Sequence, residues 1–166
     1  MALTFAYECY ADGDVFLFLR DHCKLPIKKL HSYSQGEVIN DLLVRNRAEV
    51  GMVDEDPLSS HHKLRDQMQV VEGNDDLELR IKQDQHLIIV KPELEECFVK
   101  SMKRVRLDSK LPAQAKELQR ILSVPNRSQH EVFREELTML YRESKAQNVQ
   151  TFVTRIEAVL RRLLGG

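Results

Sequence analysis

The feature that most constrains the fold is an alternation of short apolar segments with longer amphipathic segments, repeated three times near the start of the chain. The strand candidates are residues 3–8, 27–33 and 49–56. The helix candidates are residues 14–25, residues 34–46 and a shorter segment opened by Pro57. Strand–helix–strand units form right-handed crossovers and build a parallel sheet that is covered on both faces. The sequence therefore predicts an α/β layered domain.

The remainder of the chain changes from strand patterns to helix patterns. Further strand candidates are residues 68–72, 77–81 and 86–90, and further helix candidates are residues 92–105, 111–122, 128–144 and 148–164. We expect a central, mostly parallel sheet of four or five strands. Residues 1–91 are expected to form the α/β core, and residues 92–166 a helical C-terminal extension that packs on the core or on a partner, as a single structural unit.

Polar residues at the helix starts give specific expectations about capping. Ser34 is followed three residues later by Glu37, and Ser128 by Glu131, which is the capping-box pattern. Asp12 and Asp14 stand where the N-terminus of the first helix favours acids. The pattern predicts that Ser34 and Ser128 begin their helices.

Composition narrows the class of protein. The chain has 166 residues, of which 42% are hydrophobic and 31% charged, and its formal net charge is −1. This is typical of a globular domain and provides no overall attraction to nucleic acid, although residues 1–90 are mainly acidic and residues 91–166 mainly basic. Three widely spaced cysteines and the lack of a long apolar run predict a cytoplasmic protein without a membrane segment.

Carboxylates follow two of the predicted strands. Glu8 ends the first strand, and Asp54 and Asp56 end the third. The carboxyl ends of parallel strands meet at one edge of a sheet, where ligands bind, and carboxylates gathered there repel one another unless a cation lies between them. Mg²⁺ or Mn²⁺ is the expected ion. The alternative is that Asp56 caps a helix and Glu8 starts a turn.

This arrangement resembles the Toprim domain, the catalytic fold of DnaG-type primases, type IA and II topoisomerases, ribosomal RNA maturases and OLD-family nucleases. Members carry a Glu at the end of the first strand and a DxD motif at the end of the third. The matching residues are Glu8 in LTFAYECYADGDVFLFL and Asp54 and Asp56 in VGMVDEDP, with Cys9 standing where the family usually has Gly. The resemblance spans residues 3–95.

The resemblance implies a small nuclease-like protein. Glu8, Asp54 and Asp56 would hold one or two Mg²⁺ or Mn²⁺ ions for phosphodiester hydrolysis on DNA or RNA, and Asp12 would contact a second ion. Lys91, after a later strand, would neutralise a phosphate oxygen. The basic stretch 100–106 would guide the nucleic acid.

Further candidates are weaker, and two other functional classes stay open. Asp14 could contact the second ion, and Glu95 and Glu96 could join the site, although acids favour any first helical turn. A Toprim-like binding module without activity is one alternative. The other is a receiver-like domain phosphorylated at Asp54, although the interval from Asp56 to Lys91 is short for a receiver.

A partner is also expected. The sequence contains no GxxxxGK[ST] phosphate loop, so an ATPase activity would have to come from another protein. The wide apolar stripes of the C-terminal helices predict that they dock a partner protein or a second copy of the chain.

Overall fold

The computed structural model describes residues 2–55, 62–73, 77–91 and 93–165, apart from the side chain of residue 62. The strands in it are β1 (Leu3–Tyr7), β2 (Ile27–His31), β3 (Val50–Asp54), β4 (Gln69–Gly73), β5 (Leu77–Lys82) and β6 (Gln85–Val90). The helices in it are α1 (Tyr10–Asp21), α2 (Gln35–Leu43), α3 (His62–Arg65), α4 (Leu94–Val105), α5 (Ala115–Leu122), α6 (Arg127–Arg142) and α7 (Gln147–Leu163).

The strands form one sheet in the order β2-β1-β3-β6-β5-β4. The pairings β1 with β2, β1 with β3 and β3 with β6 are parallel, and β5 pairs antiparallel with both β6 and β4. The predicted α/β class and the mostly parallel sheet are thus confirmed. The expected number of four or five strands is wrong, because β4 and β5 extend the sheet beyond β6 to give six.

The sheet separates two layers of helices. Phe5 and Tyr7 point into the larger core with α1 and the C-terminal helices, whereas Ala6 between them faces the smaller core. Val38 and Leu42 of α2 lie in that smaller core and are fully buried. This alternation follows from the two-residue period of a strand, and it explains why central strands with two covered faces read as continuous apolar runs.

The C-terminal helices belong to the same core as β1 and α1. Phe98 of α4 and Phe133 of α6 are buried with their ring centroids 4.7 Å apart. On α7, Phe152, Ile156 and Leu160 are buried in the same cluster. The apolar stripe of α7, which predicts a docking surface for a partner, is therefore covered within the chain itself.

The start of α1 differs from the prediction. The helix begins at Tyr10, four residues before the expected position 14, because Cys9 acts as its N-cap. The Cys9 Sγ accepts a hydrogen bond from the Asp12 N–H, and an Asp12 carboxylate oxygen accepts one from the Cys9 N–H. Asp14 consequently lies in the second turn of the helix and not at its N-terminus.

The two predicted capping boxes have different outcomes. Ser34 is the N-cap of α2 and its hydroxyl accepts from the Glu37 N–H at 3.2 Å, which confirms this start. The prediction for Ser128 is wrong, since α6 begins at Arg127 and its N-cap is Asn126. Asparagine is as good an N-cap as serine, so Asn126, two residues before Ser128, could take the N-cap position instead.

The sequence predicts no membrane segment. Among the described residues, no helix is long and apolar enough to cross a membrane. Asp56 and the predicted helix start at Pro57 lie outside the described residues.

Candidate functional site

The register of the sheet brings the ends of β1 and β3 to the same edge. Tyr7, the last residue of β1, pairs with Met52 of β3, so Glu8 follows β1 close to Asp54 at the end of β3. Asp54 in turn pairs with Val90 at the end of β6. Neighbouring strands lie about 4.8 Å apart. Glu8 and Asp54 thus meet at the carboxyl edge of adjacent strands.

The turn from β1 to α1 adds Asp12 to this edge. The Asp12 side chain is 0% exposed, and one of its carboxylate oxygens accepts the Cys9 N–H at 3.3 Å. The other oxygen, Oδ1, has no hydrogen-bond partner in the described part of the chain. Helix capping therefore accounts for only half of this buried carboxylate.

A further carboxylate comes from α4, which follows β6. Glu95 lies in the first turn of α4 and is only 2% exposed. Its carboxylate interacts electrostatically with Asp54 and Glu8. By contrast Glu96, the next residue, forms an ion pair with Lys100 at 3.2 Å.

Burial of acids beside other acids shifts their pKa values upward. Burial, with the charge of Glu93 as a smaller contribution, raises the pKa of Asp54 to about 7, although a hydrogen bond from the Leu94 N–H opposes the shift. Burial and the charge of Asp54 raise the pKa of Glu95 to about 8. The pKa of Asp12 is also raised well above its usual range, by burial and then by Asp54. The raised pKa values mean that ionising these acids is costly unless positive charge is supplied.

Three of these acids have an oxygen that no described residue satisfies. Within the described ranges, Asp12 Oδ1, Asp54 Oδ1 and Glu95 Oε2 are buried and accept no hydrogen bond. Buried polar atoms are nearly always satisfied, so three such oxygens from separate segments of the chain mark this edge as a candidate binding site.

The oxygens do not form a finished metal centre. No group of three or more His, Cys, Asp or Glu side chains among the residues described here has the arrangement of ligands around one ion. The donor chemistry nevertheless fits a hard divalent cation, which prefers carboxylate oxygens. A cation at this edge therefore requires rotation of these side chains or a contribution from Asp56, which is not among the described residues.

A cavity of about 270 Å³ opens onto these carboxylates. Glu8, Asp54 and Glu95 line one part of it, and Lys116 and Arg120 of α5 line another. Sequence reasoning did not select these two basic residues, because their approach to the sheet edge depends on how α5 packs. The cavity combines clustered negative charge with two cationic side chains, an arrangement suited to a metal ion and a phosphate.

The predicted basic residues lie elsewhere. Lys91 donates to Glu78 of β5 at 2.8 Å and lies 3.8 Å from Glu55, and it is not among the residues that line this cavity. The stretch 100–106 forms the C-terminal part of α4, whereas Glu95 is at its N-terminus. At about 1.5 Å per residue, the basic stretch begins about 8 Å and ends about 17 Å from Glu95 along the helix axis. Its residues are not among those that line this cavity.

Asp14, a candidate for a second ion, points to a different partner. One of its oxygens pairs with His130 Nδ1 and the other accepts from Arg134 Nη1, both on α6. Its charge is therefore balanced by α6, and the structure does not bring it to the carboxylate cavity.

Cys9, between Glu8 and the start of α1, also lines the cavity. Burial and the nearby charge of Asp12 raise the pKa of its thiol. A neutral thiol is a poor nucleophile and a poor metal ligand. In this chain the cysteine serves to cap α1 and thereby to hold Asp12.

Comparison of the chain with family models, with curated proteins and with solved structures finds no match in any of the three.

Proposed function

We propose that the protein is a Mg²⁺- or Mn²⁺-dependent nuclease-like enzyme that hydrolyses phosphodiester bonds in DNA or RNA. The observation that carries the proposal is the set of buried acids Asp12, Asp54 and Glu95, each with an oxygen that no described residue satisfies. These acids meet Glu8 at the carboxyl edge of a mostly parallel sheet. Ligands of open α/β sheets bind at this edge.

The acids divide into those that would hold a cation and one that would support them. Asp54, Glu95 and Glu8 line the cavity and would bind the ion, together with Asp56. Asp12 is fully buried, is fixed by its hydrogen bond with Cys9 and does not line the cavity. It would therefore act on the ion only through the neighbouring acids. A bound divalent cation would polarise the phosphodiester and stabilise its developing negative charge.

The cationic side chains of α5 would attract the nucleic acid. Lys116 and Arg120 line the same cavity as the acids and would contact phosphate oxygens beside the scissile bond. The sequence predicts this phosphate contact for Lys91. We assign it to Lys116 and Arg120 instead, because the Lys91 ammonium group already donates to Glu78.

We include the resemblance to Toprim domains in this proposal. In support, Glu8 follows β1 and Asp54 ends β3, and these two strands are neighbours in the sheet. A receiver-like phosphoacceptor is less well supported. Between Asp54 and Lys91 the described residues form one short helix and three strands, two of them antiparallel to their neighbours, instead of alternating helices and parallel strands.

The proposal is tested with a pair of isosteric variants on one helix. Glu95→Gln removes the charge of a buried cavity acid, whereas Glu96→Gln removes the charge of the next residue, which pairs with Lys100. Purified protein is incubated with Mn²⁺ or Mg²⁺ and single-stranded DNA, supercoiled DNA or structured RNA. We expect cleavage by the wild type and by Glu96→Gln, and a loss of about 100-fold or more in Glu95→Gln, in line with the loss of one electrostatic contact in an active site.

Three results would contradict the proposal. Cleavage that survives Glu95→Gln and Asp54→Asn unchanged would show a contaminating nuclease or another site. No cleavage of any substrate, in a protein whose acids still bind the cation, would leave a binding module in place of an enzyme. Labelling of Asp54 by acetyl phosphate would instead establish the receiver alternative.

A further inference from the structure

A second cavity of about 450 Å³ lies next to the β1–α1 turn. Its walls come from β1, α1, the edge strand β2 and the N-terminal part of α6. Cys9 lines the carboxylate cavity and the next residue, Tyr10, lines this one. The volume is in the range of cavities that bind small organic ligands. The acids proposed to bind the metal do not line this cavity, so the proposed reaction gives it no role.

Aromatic rings surround His31, which lines this cavity together with Tyr7 and Tyr10. The Tyr7 ring stacks on His31 with centroids 5.1 Å apart, and the Tyr10 ring meets it edge-on at 4.9 Å. Tyr33 approaches the same imidazole at 4.1 Å. The His31 Nε2 donates to the Glu8 carbonyl oxygen at 3.1 Å, which fixes the imidazole beside the carboxylate edge.

Tyr33 is the most exposed ring of this group and is not part of the hydrophobic core. It is 78% exposed, and its backbone has a φ of 56°, in the left-handed region that tyrosine rarely adopts. Such a conformation costs about 1 kcal/mol or more. An exposed aromatic ring held at that cost over an imidazole indicates a surface for stacking.

Cationic side chains surround the rings. Lys29 of β2 and Arg127 and Arg134 of α6 line the cavity. Among the described residues that line it, Asp14 is the one acid, and it is already paired with Arg134 and His130. Arg127 pairs with Glu131 at 2.7 Å on the exposed surface, a kind of ion pair that contributes little. The lining thus carries a net positive charge next to aromatic rings.

We propose that this cavity, with the exposed Tyr33 ring that packs on His31 beside it, binds a nucleotide of a single-stranded nucleic acid, its base stacked on Tyr33 and its phosphate held by Lys29 and Arg127. Stacking platforms combined with basic side chains are how single strands are bound without sequence preference. That the strand continues into the carboxylate cavity, one residue away along the turn, rests on the proposed nuclease function.

The chemistry favours a single strand over a duplex or a free nucleotide. Bases inside a duplex are stacked on each other and offer no face to a protein ring. The cations here come from two separate elements, β2 and α6, and the sequence contains no GxxxxGK[ST] loop to hold the phosphates of a free nucleotide.

The test measures binding apart from cleavage. A fluorescent oligothymidylate of about 12 nucleotides is titrated with the full chain in EDTA, and binding is followed by fluorescence anisotropy. Tyr33→Asn removes the ring while keeping a residue that tolerates the left-handed backbone. We expect roughly tenfold weaker binding, with an unchanged or higher melting temperature. Tyr33→Phe, which keeps the ring, is expected to bind like the wild type.

The phosphate contact has a matched control on the same strand. Lys28 and Lys29 are adjacent and both exposed, but strand alternation points Lys28 to the opposite face and it does not line the cavity. Lys29→Ala is expected to weaken binding and to reduce the slope of log affinity against log salt by about 1. Lys28→Ala is expected to change neither.

The outcomes separate this inference from the proposed function. The inference is overturned if the wild type does not bind the oligonucleotide, if an abasic strand of equal length or a duplex binds as tightly, or if Tyr33→Asn binds like the wild type. Binding that depends on Tyr33 and Lys29 without any cleavage in Mn²⁺ would support the inference and contradict the nuclease. Cleavage lost in Glu95→Gln, with binding of the strand in EDTA unchanged, would support both.

Discussion

At the scale of single residues, the site depends on acids that are costly to ionise. Asp54 and Glu95 are buried with pKa values raised to about 7 and about 8, from ordinary values near 4. Because the folded state then binds more protons than the unfolded state between these values, the free energy of unfolding falls as pH rises through this range.

This gives a prediction for the cation-free protein. In a chelator, Glu95→Gln is expected to melt close to the wild type near pH 5 and at a higher temperature near pH 8. The advantage grows as pH rises above about 4 and levels off above about 8, because only the wild type must ionise a buried acid. A gain of 1 kcal/mol corresponds to about 2–4 °C in a chain of this size.

The matched control is Glu96→Gln, in which a partly exposed acid that pairs with Lys100 loses its charge. It is expected to show no such advantage at pH 8. A melting temperature of Glu95→Gln that stays below the wild type by the same amount at every pH would contradict the raised pKa.

At the scale of secondary-structure elements, the site edge is held in place by helices packed close to the strands. Gly51 of β3 is the clearest case, since a Cβ placed there would lie 2.8 Å from the Val38 Cγ1 of α2. The same contact holds β3 against α2, whose Gln35 side chain donates to the Asp54 carbonyl oxygen at 2.8 Å. The close approach of helix and strand therefore sets the position of Asp54.

Gly51→Ala is expected to destabilise the protein by about 1–3 kcal/mol, because the extra methyl group forces α2 away from β3. Equilibrium unfolding in urea measures the change. Gly73→Ala in β4 is the matched control, since a Cβ there would have its nearest neighbour at 3.7 Å, and it is expected to be neutral or slightly stabilising. Equal losses in the two variants would show that the contact with α2 does not limit stability.

At the scale of the whole molecule, the alternation of strands and helices made the first half of the fold predictable. The order β1, α1, β2, α2, β3 follows from that pattern, and the rule for parallel sheets predicts that Glu8 and Asp54 meet at one edge. The pattern could not show that β4 and β5 turn antiparallel, since short apolar runs carry no information about strand direction.

The other residues of the candidate site could be assigned to it only from the tertiary structure. Glu95 was a weak candidate because acids favour any first helical turn, and nothing local distinguishes it from Glu96. Its burial follows from β6 lying beside β3 in the sheet, which directs the start of α4 towards Asp54. Lys116 and Arg120 gave no local signal at all, as basic residues on a surface helix are ordinary.

The central claim is that the acids at the carboxyl edge bind a divalent cation, and calorimetric titration with Mn²⁺ tests it most directly. We expect the wild type and Glu96→Gln to bind the ion with millimolar or tighter affinity, and to release protons at pH 7 because Asp54 and Glu95 must ionise. Asp54→Asn combined with Glu95→Gln is expected to abolish that binding. No binding to the wild type, or equal binding to the double variant, would contradict the account.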